Sequence, residues 1–134
     1  MLRVLSDGGR RSVPATLLRV AHSARWGLAK VRGQSMTPTL YPGDRLLIRY
    51  RRRPRPGALV LARFPDGTLA VKRVHEARST SSGRPGWWLL SDNEADGVDS
   101  RHRGPVADEA VLGVVLLRVW PRPGRLRLGR SRRL

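Results

Sequence analysis

From Tyr41 onward the chain is cut by turn signals at intervals too short for long helices, and this punctuation constrains the fold more than any other feature. Tyr41-Pro42-Gly43-Asp44 fits a type II turn, with proline at the second position and glycine supplying the positive φ at the third. Pro56-Gly57 repeats the device, and Pro65-Asp66-Gly67 supplies a further turn. Between these breaks lie β-rich runs: Arg45–Tyr50, Ala58–Phe64 and Thr68–His75. A polar hairpin loop, Ser79–Gly86, leads to Trp87–Leu90, and Ala110–Trp120 forms a last long run that Pro121 halts. Short strands joined by tight turns predict a mainly β domain.

The two ends read differently. Met1 to Val13 is rich in glycine, serine and arginine and predicts little order. From Pro14 to Leu28 the apolar residues Leu17, Leu18, Ala21, Ala24 and Leu28 fall at helical spacing, with Arg19, His22 and Arg25 at other angles. The spacing predicts a short amphipathic helix that covers an edge of the core, or, as an alternative, rests on anionic lipid. The tail from Arg122 to Leu134 is strongly basic and predicts a solvated, frayed terminus. The 134 residues allow a single domain. It divides into an N-terminal segment (1–30), a central domain (31–121) and a basic tail (122–134).

Composition removes several classes of function. With no cysteine there is no disulfide, no thiol nucleophile and no cysteine zinc site. The histidines (His22, His75 and His102) are far apart in sequence, so neither a metal nor a cofactor is expected. A net charge of +17 attracts anions of many kinds. It supports no specific nucleic-acid partner, because the few aromatic residues form no base-stacking motif. Crossing a bilayer takes about 20 apolar residues, and the longest uncharged apolar stretch is only Ala110 to Leu117. No transmembrane anchor or secretory signal is expected, which points to the cytoplasm, with peripheral membrane contact as the alternative.

Three segments carry chemistry: Gly33–Leu40 around Ser35, Ala70–Val74 around Lys72, and Ser91-Asp92-Asn93 with Asp99-Ser100-Arg101. A serine hydroxyl is a poor nucleophile unless a nearby base takes its proton. No histidine lies in a suitable segment, so a lysine with a lowered pKa is the candidate base. Strand alternation puts Ala70, Lys72 and Val74 on one face and Leu69, Val71 and Arg73 on the other. Lys72 then lies between small apolar neighbours, where burial disfavours its charge.

These segments resemble, in order, the boxes of the type I signal peptidase superfamily of Ser–Lys peptidases. Ser35-Met36-Thr37-Pro38-Thr39-Leu40 is similar to the nucleophile box, and Gly43-Asp44-Arg45-Leu46-Leu47-Ile48 to the next. Val71-Lys72-Arg73-Val74 is similar to the general-base box, and Ser91-Asp92-Asn93 through Gly104-Pro105-Val106 to the last. The resemblance runs from about Val31 to Val119 and implies a coiled β-sheet catalytic domain of the signal peptidase/LexA type. It also implies roles: Ser35 as nucleophile, its backbone N–H in the oxyanion hole, and Lys72 as general base. Asp99 and Arg101 would form an ion pair bracing the loop behind the lysine. Asp92 and Asn93 would shape that loop, with Ser100 alongside as a further supporting residue.

Departures from the pattern are specific. Ser91 stands where the last box usually begins with glycine. Gly97 stands where relatives have a serine that helps to hold the lysine, so one hydrogen bond to the base is expected to be missing. Gly33 stands where some members supply a hydroxyl to the oxyanion hole. Within the superfamily, Arg32–Leu40, Leu69–Val74 and Val114–Pro121 are most similar to the maturation peptidases of nickel-type superoxide dismutase. That likeness implies a protein substrate, the N-terminal leader of a dismutase precursor. The alternative is signal peptidase-type processing of secreted precursors at a membrane. The arginine surplus further suggests that acidic residues near the scissile bond help binding.

Overall fold

The computed structural model describes residues 2–3, 17–19 and 25–129. One antiparallel sheet dominates it, curled on itself, with only short helical turns besides. The strands are β1 (Leu2–Arg3), β2 (Leu17–Arg19), β3 (Trp26–Val31), β4 (Arg45–Tyr50) and β5 (Leu59–Arg63). They continue as β6 (Leu69–Ala77), β7 (Gly86–Leu90), β8 (Val106–Ala107), β9 (Val111–Trp120) and β10 (Gly124–Arg125). A single α-helical turn, α1 (Ser100–Arg103), follows β7.

The main path through the sheet is β1-β3-β4-β9-β5-β6-β7-β8, with β2 also on β3 and β10 also on β9. β9 holds the two halves together. Its one edge pairs with β4 from Trp120 to Gly113, and its other edge takes β5 at Val114–Val111 and β10 at Arg118–Leu117. Register shifts fall between Leu47 and Ile48 and between Leu61 and Ala62. Extra residues of this kind bend a strand and raise its twist, which is how a sheet of short strands curls here.

Both faces of the central strands are covered, so they read as continuous apolar runs. Leu59 and Leu61 join one core cluster with Leu46, Ile48, Leu69, Val71 and Val115. Val60 and Ala62 face the other way, into a second cluster with Ala70, Val74, Trp87, Leu89 and Val106. Gly113, opposite Leu61, has no room for a side chain: a Cβ there would stand 2.7 Å from the Arg49 carbonyl oxygen.

The expected Pro14–Leu28 helix is not present where the chain is described. Leu17–Arg19 and Trp26–Val31 are strands paired antiparallel, Leu17 opposite Ala29 and Arg19 opposite Gly27; residues 14–16 and 20–24 lie outside the described set. Cross-strand pairing outweighs local spacing because β3 alternates buried Gly27, Ala29 and Val31 with half-buried Trp26, Leu28 and Lys30. β3 therefore runs through the expected boundary at residue 31. The tail also differs from expectation as far as residue 129. β10 pairs with β9, Leu126 packs on the first cluster, and Gly129 N–H donates to Gly57 O at 2.8 Å. Its arginines are compatible with docking because the backbone and Leu126 supply the contacts.

Replacing Leu61, fully buried in β5, by alanine is expected to cost about 2–5 kcal/mol in urea denaturation without changing the sheet content seen by circular dichroism.

Candidate active site

Ser35 lies in the loop between β3 and β4, and its neighbours fix the loop. Met36 and Leu40 are buried in the first core cluster, and Leu40 N–H donates to Met36 O at 2.8 Å. The Met36 sulfur also accepts the Asp92 N–H at 3.4 Å. Ser35 is thus carried to the edge of the core, buried at 7% exposure. The Gly43 turn that closes the loop has the expected positive φ of 95°, with Asp44 N–H donating to Tyr41 O at 3.0 Å.

Lys72 comes from the middle of β6, opposite Val60 of β5. It keeps the parity of Ala70 and Val74, both in the second apolar cluster, and is only 2% exposed. Burial pushes the amine below its ordinary value of 10.5. The charges of Asp99, Asp96 and Asp92 oppose that shift, and the charge of Arg101 adds to it. The amine donates to Ser91 Oγ at 2.9 Å.

Gly97 marks how closely the serine and the lysine approach. A Cβ on Gly97 would lie 2.5 Å from Ser35 Cβ, 3.2 Å from Lys72 Nζ and 3.2 Å from Ser91 Oγ. Ser35, Lys72 and Ser91 therefore meet around a single point of the 91–99 loop. The expected missing hydrogen bond to the lysine is not missing: the hydroxyl comes from Ser91 rather than from position 97.

The remaining residues singled out in the sequence gather behind this point. Asp99, fully buried, caps α1 and accepts from Arg101 Nε at 3.1 Å, an Arg101 terminal nitrogen at 3.0 Å and the Ser91 N–H at 2.9 Å. Burial raises its carboxyl pKa, but hydrogen bonds from Arg101 and Ser91, with the Arg101 charge, outweigh this and hold it below the usual range. Ser100 Oγ accepts the Leu89 N–H at 2.9 Å. Asn93 ties the loops together: its N–H donates to Ser35 O at 2.9 Å, and its amide donates to Gln34 O at 3.0 Å and Thr37 Oγ1 at 3.1 Å.

Asp92 faces away from this cluster, into a bidentate pair with Arg73 from the opposite side of β6 (3.1 and 2.7 Å), and also accepts from Thr39 Oγ1. Arg73 was legible in the sequence only as the charged residue on the other face of Lys72. Its guanidinium also donates to Gly57 O at 2.9 Å and Arg127 O at 2.8 Å, pinning the tail to the turn before β5. Gly33, at φ 72°, faces open space and offers no side chain to an oxyanion.

A cleft next to the Ser35 loop is lined by Gln34, Thr37 and Tyr41 together with Asp92, Asn93 and Glu94. The charged residues of its lining are Asp92 and Glu94, and Asp92 is paired with Arg73. Among the described residues, no helix is long and apolar enough to cross a membrane.

The curled antiparallel sheet and the comparisons with known proteins together mark a serine peptidase. The Peptidase S24-like family model matches residues 4–116, and the chain belongs to that family. A curated relative, mitochondrial inner membrane protease subunit 1 of Schizosaccharomyces pombe, is 26% identical over 142 residues, covering 86% of this chain and 90% of that protein.

The buried amine leaves a measurable trace in stability. A lysine whose folded pKa lies below its unfolded one binds fewer protons when folded, so stability rises with pH through that window. Stability of the native chain relative to Lys72→Met should therefore increase as pH approaches 10.5, the ordinary lysine value. Urea unfolding of both proteins from neutral to alkaline pH tests this; a pH-independent difference would contradict a depressed pKa.

Proposed function

We propose that this serine peptidase is a Ser–Lys endopeptidase in which Lys72 deprotonates Ser35. The observation that carries the reading is the burial of the Lys72 amine at 2% exposure, in contact range of the same Gly97 position that abuts Ser35. An amine kept out of water sheds its proton more readily than a free lysine, which is what a base at ordinary pH requires. As Ser35 Oγ attacks the scissile carbonyl carbon, its proton passes to Lys72 Nζ. The Ser35 N–H stabilises the resulting oxyanion. The lysine ammonium then gives its proton to the leaving amine, and the acyl-enzyme forms. Lys72 next takes a proton from water, whose oxygen attacks the ester carbon, and returns that proton to Ser35 Oγ as the ester bond breaks. In this scheme Asn93 holds the nucleophile loop, Asp92 anchors its own loop to β6, and Asp99, Ser100 and Arg101 hold the segment behind the lysine.

The proposed substrate is the N-terminal leader of a nickel superoxide dismutase precursor, met in the cytoplasm. The motif likeness of Arg32–Leu40, Leu69–Val74 and Val114–Pro121 supports it. The leader binds as an extended strand in the cleft next to the Ser35 loop, with main-chain hydrogen bonds for affinity. The S. pombe relative, an inner membrane protease subunit, favours a second reading, processing of precursors at a membrane with peripheral contact by this chain.

Ser35→Ala and Lys72→Ala are each expected to abolish cleavage while leaving the thermal unfolding transition cooperative. Lys72→Arg should fail as well, since arginine cannot lose its proton. Cleavage by Lys72→Arg would move the base elsewhere. Coexpression with a nickel dismutase precursor, followed by N-terminal sequencing, tests the substrate. The expected result is a shortened dismutase only with the active enzyme; an intact leader beside a soluble, folded enzyme would exclude this substrate.

A further inference from the structure

We infer that Ser91 is the positioning residue for Lys72, supplying the hydroxyl that aims the amine at Ser35, and that Gly97 is the empty space that lets it do so. The inference rests on the reading of Lys72 as the base.

A lysine amine rides on a stem of four rotatable carbons, so a base built on one must be held. Here the Lys72 amine donates to Ser91 Oγ at 2.9 Å, a bond buried at both ends. Register explains the meeting. β6 and β7 pair antiparallel with Arg73 opposite Leu90 and Val74 opposite Leu89. One further step along both strands sets Ser91 against Lys72.

Ser91 is itself fixed with unusual completeness. Its N–H is bound by the Asp99 carboxylate at 2.9 Å, and Asp99 is clamped by Arg101. Alternate residues of the same segment are tied as well: Leu89 N–H to Ser100 Oγ and Asn93 N–H to Ser35 O. The segment that presents the hydroxyl to the lysine therefore also grips the serine. This chain of contacts, Arg101 to Asp99 to Ser91 to Lys72, gives the ion pair of exposed Arg101 with buried Asp99 a route to the amine that needs no direct contact with it.

Position 97 cannot take over the role in this backbone. Gly97 has φ +90°, a conformation that side-chain-bearing residues rarely adopt, and a Cβ there would collide with Ser35 Cβ at 2.5 Å. The hydroxyl has to enter from the β7 side, where serine stands.

A merely buried, satisfied serine would make the same contacts, so the test must read the amine itself. Lys30 and Lys72 are the only lysines, so a protein labelled with nitrogen-15 at the lysine side chain gives two Nζ signals to titrate. The hydroxyl accepts from the ammonium more strongly than from the neutral amine, so losing it disfavours the charged form. In Ser91→Ala and Ser91→Gly the Lys72 midpoint should move to lower pH while Lys30 stays in place; Ser91→Thr should restore it. Asp99, Asp96, Asp92 and Arg101, the charged groups around the amine, are unchanged in all three variants. On a cleavable leader peptide, kcat should fall about 10- to 100-fold with KM unchanged, because the base is misaimed rather than the substrate lost. The double variant S91G/G97S should not recover activity, since the new Cβ displaces Ser35. An unmoved Lys72 midpoint in whichever of the Ala and Gly variants folds overturns the inference. Lys72→Ala separates the two failures: activity retained there removes the base reading, whereas an inactive Lys72→Ala with an unshifted Ser91→Ala removes only the role of Ser91.

Discussion

Holding one lysine amine out of water is the constraint on which the site depends. A charged ammonium in an apolar setting is costly, and proteins answer by neutralising the group or giving it partners. Here both answers operate. β5 and β6 present Val60, Ala70 and Val74 around Lys72, while the segment after β7 brings a hydroxyl to the amine and carboxylates to its neighbourhood. Asp99 stays ionised beneath because Arg101 and backbone N–H groups satisfy it. The balance leaves the amine below its ordinary value with charged partners still at hand.

The curled sheet makes this balance possible. Because β9 joins β4 on one edge and β5 on the other, the loop after β3 and the loop after β7 reach the same place from opposite halves of the fold. Asn93 closes the gap with bonds to Ser35, Gln34 and Thr37. Arg73 performs a comparable task on the other face of β6, joining Asp92, the Pro56-Gly57 turn and the tail. Neighbouring residues of one strand thus serve different faces, Lys72 toward the serine and Arg73 toward the frame.

Local charge departs from the total. A chain of net charge +17 places Asp92, Glu94, Asp96 and Asp99 in one short loop beside the serine. Asp99, Asp96 and Asp92 raise the lysine pKa where burial lowers it, so this acidic loop moderates the amine.

Much of the architecture was readable from residues alone. The turns at Gly43, Gly57 and Gly67 all have positive φ, and β4 occupies the Arg45–Tyr50 run it was assigned, because proline–glycine geometry and period-2 burial act locally. The faces of β6 followed for the same reason. What failed were readings that local spacing cannot arbitrate: Leu17, Leu18 and Leu28 fit a helix until β3 offered Leu17–Arg19 a partner strand. The tail looked like a solvated arginine run until β9, Gly57 and Arg73 engaged its backbone. By itself the sequence determined the β character, the family likeness and the serine and lysine worth examining. Only the tertiary structure decided that Ser91 meets Lys72 and that Gly97 must stay bare, because both depend on register and on backbone approach between segments far apart in the chain.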